Sequence, residues 1–409
     1  MDFTLNEQQQ HWQRVARDFA QSRVAPIARE MDETGEMPLT LVSEMAELGL
    51  LGSTLPKYFG GSEMDHLSLA LVYEELGRAC SSVRGFMTVH SSLVMQCIYH
   101  WGTEVQKSNA LPVLTGGDAI GCYALTEPEA GSDAASITTT AERLLGRETI
   151  PGNNSLTLSA ESTLAGYKLN GEKIWITNGN IARLAIVFAR LNAPEFEDKK
   201  PHERITAFLV PLEGVGVERV RMPGQELGHR ASDHAHIVFK DCFVSSEMVL
   251  GGEGNGFKVA MSALDHGRLG VAAGALGVHQ ACLDASVEFV RNRRQFGQRV
   301  GDFEMVQATI AEMKASLDAS RLLVYRAAWT KDQGLPSKLE TSVAKYFATE
   351  AACKAASDAV LLHGGRGYSN EYPVERYYRD IKGLQIYEGT SHIQKIVIAR
   401  EVIGKSKTT

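Results

Sequence analysis

At 409 residues the chain exceeds one ordinary core, and its 44% hydrophobic content is enough to fill two or three domains. A net charge of −7 argues against a dedicated nucleic-acid binder and suits a soluble protein that handles small molecules. The six cysteines (Cys80, Cys97, Cys122, Cys242, Cys282 and Cys353) have neither CxxC pairing nor metal-type spacing, so they read as reduced thiols and no metal is expected. The start, MDFTLNEQQQ, lacks the basic and apolar regions of a signal peptide, and no stretch is apolar for long enough to span a bilayer. A cytoplasmic location away from the membrane is the simplest expectation, and a processed organellar protein reads the same.

From Asn6 onward, Trp12, Val15, Ala16, Phe19, Ala20, Val24 and Ile27 recur at helical spacing, with Asn6 placed to cap. Helical patterns continue through 39–48, 67–80 and 91–101, broken at Gly60, Gly61 and Gly102. Residues 1–119 are therefore expected to form an all-helical domain, with Met87, Met95 and Trp101 in its core. At Ala119 the texture changes to short runs rich in Val, Ile, Thr and Phe. Strands are expected at 184–189, 205–210 and 235–239, which makes 120–244 a small β domain. In YKLNGEKIWITNG, Asn170 and Gly171 predict a type I′ hairpin turn between two alternating runs. From Gly256 the pattern is helical and rich in alanine, so 245–409 reads as a bundle. The fold class that follows is α+β, mainly α: an N-terminal helical domain, a central barrel-like β domain and a C-terminal four-helix bundle.

Three stretches carry chemistry. LTEPEAGSD offers the Thr126 and Ser132 hydroxyls and backbone N–H groups on a loop bent by Pro128 and Gly131, suited to the polar edge of a planar ring. Trp175 can stack on such a ring with Thr177 at its edge; an ordinary turn and a core tryptophan are the plainer alternatives. RNRRQFGQR concentrates Arg291, Arg293, Arg294 and Arg299, but one nearby aromatic in an acidic chain makes no nucleic-acid platform, and a solvated helix end is the simpler reading.

In IYEGTSHIQ, Glu388 stands between Tyr387 and Gly389, ahead of a helix expected from about Ile393 to Ile403. Ser391 and Gln394 there have capping-box spacing. An adjacent ring excludes water and raises a carboxyl toward a useful general base, while glycine lets a substrate approach the backbone. Taken alone, Glu388 is better explained as an acid favoured by a helix N-terminus.

CYALTEPEAGSD followed by GYKLNGEKIWITNG resembles the flavin-binding β domain of the acyl-CoA dehydrogenase family. The resemblance implies FAD held without a Rossmann unit, and the chain has no GxGxxG. It puts Tyr123, Leu125 and Thr126 at the isoalloxazine, Ser132 at flavin phosphate and substrate, and Trp175 and Thr177 over the flavin. LDHGRLGVAAGALG resembles the helix entering the bundle, where Asp265 and Arg268 contact the pantetheine and nucleotide of the substrate. RRQFG resembles a segment that reaches into a neighbouring subunit's FAD, with Arg293 on the pyrophosphate and Gln295 and Phe296 near the flavin, so a homotetramer is implied.

LLHGGRGYSNEYPVERYYRDIKGLQIYEGTSHIQ is similar to the family over its whole length. This implies Gly364 and Gly365 beside the FAD phosphates, Thr390 and His392 as cofactor contacts, and Tyr387 and Gly389 beside the substrate. Glu388 aligns with one of the family's two positions for the catalytic carboxylate; the other, near Gly270, carries no acid.

The implied reaction is α,β-dehydrogenation of an acyl-CoA, with electrons passed to an electron-transfer flavoprotein. There are departures: Glu304 and Leu361 replace glutamines that help hold FAD, and 144–164 is longer than the usual connection, as a neutral hairpin or a contact to partner or substrate. These motivate two alternatives, a dehydrogenase of a thioester carried on an acyl carrier protein and a non-catalytic member that has lost FAD and serves binding or assembly.

Overall fold

A computed structural model describes residues 4–144 and 166–404. The first part is helical: α1 (Glu7–Phe19), α2 (Ala28–Thr34), α3 (Thr40–Glu47), α4 (His66–Ala79), α5 (Ser81–Met87), α6 (Gln96–Trp101) and α7 (Glu104–Thr115). Asn6 caps α1 as expected: its side chain accepts the Gln9 N–H at 2.9 Å, and the Gln9 side chain accepts the Asn6 N–H at 3.0 Å. α5 and α6 are the ends of one rod whose middle, Thr88–Met95, is a π-helix. Such widened turns re-aim side chains and recur at functional sites.

β1 (Gly121–Ala124), β2 (Thr140–Leu144), β3 (Gly166–Thr177), β4 (Leu184–Asn192), β5 (Ile205–Pro211), β6 (Val217–Arg221), β7 (His234–Ser245) and β8 (Val249–Leu250) make one mixed sheet. Its order is β6-β7-β3-β2-β4-β5-β8, with β1 parallel to β4. The three strands expected from sequence fall within β4, β5 and β7. The hairpin expected at Asn170 and Gly171 does not form, because both residues lie inside β3. A shift in the pairing with β7 between Leu169 and Gly171 absorbs them as a bulge. Gly171, at φ 145°, runs so close to Thr139 that a Cβ would stand 2.5 Å from its Oγ1. Asn170 Oδ1 accepts the Asp241 N–H of β7 at 2.8 Å. An Asn-Gly pair permits a reversal, but the long partner strand β7 satisfies more backbone. The long connection expected at 144–164 falls, beyond Leu144, outside the described residues.

β3 also carries Lys173, wholly buried, whose Nζ meets Glu127 Oε1 at 2.7 Å and Leu125 O at 3.2 Å. Glu127 further accepts from the N–H groups of Thr138 and Thr139. Burial by itself raises the Glu127 carboxyl, but Lys173 and these donors outweigh it and hold it down at about 2. The pair thereby clamps the 125–133 loop onto β3. Lys173→Met leaves that carboxylate buried without its cation. The expected loss is about 3–5 kcal/mol, measured by equilibrium urea unfolding.

α8 (Gly256–Asn292) is the axis of the last part and packs on α4, α9 (Glu304–Asp332) and α10 (Lys338–His363). At Gly77 of α4 a Cβ would stand 2.6 Å from the Gly274 carbonyl of α8, so the crossing depends on glycine. Between α8 and α9 the strands β9 (Arg294–Gln295) and β10 (Gln298–Arg299) form a separate hairpin. α11 (Val374–Ile386) and α12 (Ser391–Ile403) both lie on α10, and the chain breaks between them. Among the described residues no helix is long and apolar enough to cross a membrane, and the six cysteines are free, five of them buried.

Candidate active site

The break at residues 387–390 holds Glu388 in the left-handed region, at φ 55°, followed by Gly389 at φ 89°. A glutamate held there costs energy that its surroundings must supply. The cap of α12 differs from the expected capping box. Thr390, not Ser391, accepts the Ile393 N–H at 3.3 Å, and the helix begins at Ser391, two residues before the expected start. The buried Gln394 amide instead donates to Gly389 O at 2.8 Å and Glu388 O at 3.3 Å. From α10, Lys345 donates to Tyr387 O at 2.7 Å and Gly389 O at 2.5 Å. The turn is thus tied from two helices.

Glu388 Oε2 is buried and, among the described residues, has no hydrogen-bond partner. It lies against Gly267 of α8, where a Cβ would stand 1.9 Å away. Gly267 is therefore the α8 position facing the carboxylate, whereas Gly270 faces Thr88 and Tyr73. Burial raises the Glu388 carboxyl above its ordinary range, with the Lys345, Arg84 and Arg268 cations pulling the other way. Tyr387 closes one side: its hydroxyl accepts from Arg84 Nη2, and its ring meets His229 edge-on at 5.6 Å. A dry carboxylate with a raised pKa and free lone pairs is equipped to take a proton from carbon.

No local pattern marks Arg84, a lone arginine in SSVRGFM on α5. It is among the largest fully buried side chains, at 1% exposed. Its Nη1 meets Thr88 Oγ1 at 3.3 Å and its Nε has no partner. No carboxylate pairs with it among the described residues. Gly274 makes room for it, since a Cβ there would stand 2.5 Å from Nε. Lys345 is equally unmarked, one lysine of an alanine-rich helix. Only its burial and its two carbonyl partners distinguish it.

The two motifs of the β domain meet where the Ile174 N–H donates to Thr126 O at 3.0 Å. Trp175, at φ 57°, is 51% exposed, so it is no core tryptophan; its ring edge touches His234 at 6.4 Å. Thr177 ends the same strand, half-buried, and Ser132 is exposed on the loop. Leu125 is buried with its carbonyl on Lys173, and the Tyr123 hydroxyl is engaged by Ala260 O of α8 at 3.2 Å. An open indole beside a loop bearing unburied hydroxyls fits the flat face and polar edge of an isoalloxazine.

A second group stands at the far ends of α8 and α10, where Phe289 and His363 stack at 4.3 Å. Here Arg293, Gln295 and Phe296 lead into the β9–β10 hairpin, with Phe296 93% exposed, and Gly364 and Gly365 leave open space where a Cβ would sit. Among the described residues no hydrogen bond, ion pair or ring contact joins this group to Trp175 or the 125–133 loop. Thr390 caps α12, and His392 is exposed on its first turn. Asp265 and Arg268 pair with each other, and Arg268 is buried with its Nε unpartnered among the described residues. Glu304 and Leu361 both face outward.

Models of the acyl-CoA dehydrogenase N-terminal, middle and C-terminal domains match residues 6–118, 122–242 and 254–403. The short-chain specific acyl-CoA dehydrogenase of Mus musculus mitochondria is 39% identical, over 98% of this chain and 91% of its own length. A chain solved in work on the electron transferring flavoprotein of Acidaminococcus fermentans superposes with a TM-score of 0.91 at 37% identity, covering 99% of this chain and 100% of that one. A glutaryl-coenzyme A dehydrogenase in complex with glutaryl-CoA superposes at 0.89 with 33% identity, covering 100% and 98%.

Proposed function

The chain belongs to the acyl-CoA dehydrogenase family, and from that premise we propose that Glu388 removes the α-proton of an acyl-CoA. The observation that carries this is the buried, unpartnered Oε2 of Glu388, flanked by Tyr387 and Gly389. An α-proton is far too weakly acidic for a carboxylate unless charge on the thioester oxygen is stabilised, a task for the Glu388 N–H. FAD, when bound, supplies the acceptor for the β-hydride and one ribityl hydroxyl for the same oxygen. The enzyme is an oxidoreductase acting on CH–CH groups.

Within one subunit Tyr123, Leu125, Thr126, Ser132, Trp175, Thr177, Thr390 and His392 hold the cofactor, and Ser132, Asp265 and Arg268 hold the CoA portion. Arg293, Gln295, Phe296, Gly364 and Gly365 serve the cofactor of a neighbour, a reading supported by the lack, among the described residues, of any bond from them to Trp175 or the 125–133 loop, and the assembly is a homotetramer. It works in the cytoplasm and passes electrons to an electron-transfer flavoprotein, a reading supported by the Acidaminococcus likeness. Anaerobic titration with butyryl-CoA is expected to bleach the flavin band. A protein that neither carries nor takes up flavin overturns this reading in favour of a binding role, and a yellow protein that no acyl-CoA bleaches favours a carrier-bound thioester.

Arg84 favours a second, narrower reading, in which the acyl chain ends in a carboxylate. Arg84 bonds the Thr88 and Tyr387 hydroxyls and faces the Glu388 carboxyl without pairing with it, and a buried guanidinium left so is costly unless a further anion completes it. The likeness to a glutaryl-CoA enzyme points the same way, while the mouse relative points to plain short chains. In Arg84→Met the ratio of kcat/KM for glutaryl-CoA to that for butyryl-CoA is expected to fall more than about tenfold, the scale of one charge-assisted contact. Equal losses on both substrates count against it.

A further inference from the structure

Wholly buried Lys173 meets Glu127, buried Arg268 meets Asp265, and the part-buried Arg379 and Arg321 meet Asp32 with Glu375 and Glu74 respectively. Lys345 is as deeply buried, at 1% exposed, yet no ion pair involves it among the described residues. Its ammonium is spent on the carbonyls of Tyr387 and Gly389, at 2.7 and 2.5 Å. Those two carbonyls bracket Glu388, and the first shares a peptide unit with the Glu388 N–H. We propose that Lys345 is a positioning residue for the reaction, one that polarises the Tyr387–Glu388 peptide and so strengthens the N–H that receives the thioester oxygen. The proposal rests on the reading of Glu388 as the base and of its N–H as the thioester donor.

The physical route is short. A trans peptide is a conjugated plane whose C=O and N–H point in opposite directions, and the described backbone contains no cis bond. A cation bonded to the oxygen draws electron density through the plane and makes the N–H at the other end a stronger donor. That gain is largest as negative charge builds on the thioester oxygen, when the α-proton leaves. The clamp also holds Glu388 at its unfavourable φ, a duty shared with Gln394, which bonds Glu388 O and Gly389 O from α12. Gln394 is neutral, so geometry and charge are separable. Three cations face the Glu388 carboxyl: Lys345 from α10, Arg84 from α5 and Arg268 from α8. Burial pushes the Lys345 ammonium downward, with Arg268 acting the same way and Glu388 opposing, so its charge can be titrated.

The test uses the FAD-loaded enzyme. Bleaching of wild type by butyryl-CoA comes first and decides the dehydrogenase reading separately. Acetoacetyl-CoA, whose acidic α-proton lets it bind as an enolate without turnover, is then titrated against wild type and Lys345→Gln across pH. Loss of the charge is expected to weaken enolate binding about tenfold. It is also expected to move the acid limb of kcat/KM to higher pH, because a cation that held the Glu388 carboxyl down is gone, and to lower kcat more than it changes KM. Unchanged enolate affinity and pH profile overturn the proposal and leave Lys345 a strut. Lys345→Arg covers failure of the neutral variant to fold. Enolate affinity in wild type is expected to decline at alkaline pH as Lys345 loses its proton, and that decline is expected to vanish with a guanidinium. A decline that persists overturns the proposal equally.

Discussion

Glu388→Gln is expected to lower the rate of flavin reduction by butyryl-CoA about 10⁴-fold or more, the upper range for removing a general base. Among the described residues the α8 position facing Oε2 is Gly267, which carries no acid, and Oε2 has no partner able to relay a proton. The amide matches the carboxylate in shape, so flavin content and melting temperature are expected to hold. The sign for stability follows from the raised carboxyl. Such a group is favourable to folding while protonated and loses that contribution as pH rises through its folded pKa, so above that point the glutamine variant is as stable as wild type or more so. In wild type, kcat/KM is expected to fall with acidification through a pKa above the ordinary glutamate value of about 4.3. A residual rate within tenfold of wild type in rapid-mixing absorbance measurements assigns the base elsewhere.

Gly267→Ala is expected to reduce the same rate at least about 100-fold, though it adds one methyl to a residue that is not the base. That methyl would stand 1.9 Å from Glu388 Oε2, so the carboxylate must leave its place. The added Cβ would also stand 2.8 Å from Leu93 Cδ2, on the π-helical stretch that cannot recede freely from the core. Alanine is the best helix former, so α8 itself is not weakened. Flavin binding with a normal circular dichroism spectrum, together with a lost rate, is the expected signature. Near-normal turnover means that the carboxylate has a second productive place, contrary to a turn tied by Lys345 and Gln394.

The misread local signals share one cause. Asn170 and Gly171 have the composition of a hairpin turn, yet β7 pairs across them, because two long strands satisfy more backbone than a reversal would. Ser391 and Gln394 have capping spacing, yet Gln394 is buried against Glu388 and Gly389 and cannot cap. Trp175 could be read as a stacking platform or as a core tryptophan, and only its exposure separated them.

What the sequence by itself determined was whatever is encoded in neighbours along the chain. This includes the helical periodicities, the Asn6 cap, the core placement of Met87 and Met95, the strand runs of β4, β5 and β7, and the motifs that single out Glu388. What only the tertiary structure decided was whatever depends on groups distant in sequence arriving at one point. Gly267, Arg84 and Lys345 come from three helices, separated from Glu388 by between 43 and 304 positions. Each is unremarkable among its own neighbours. A glycine is a gap only when a carboxylate fills it, and a lysine is a clamp only when two carbonyls are turned toward it. Desolvation and pairwise electrostatics act through space, so the chemistry of Glu388 is set by residues that no local window contains.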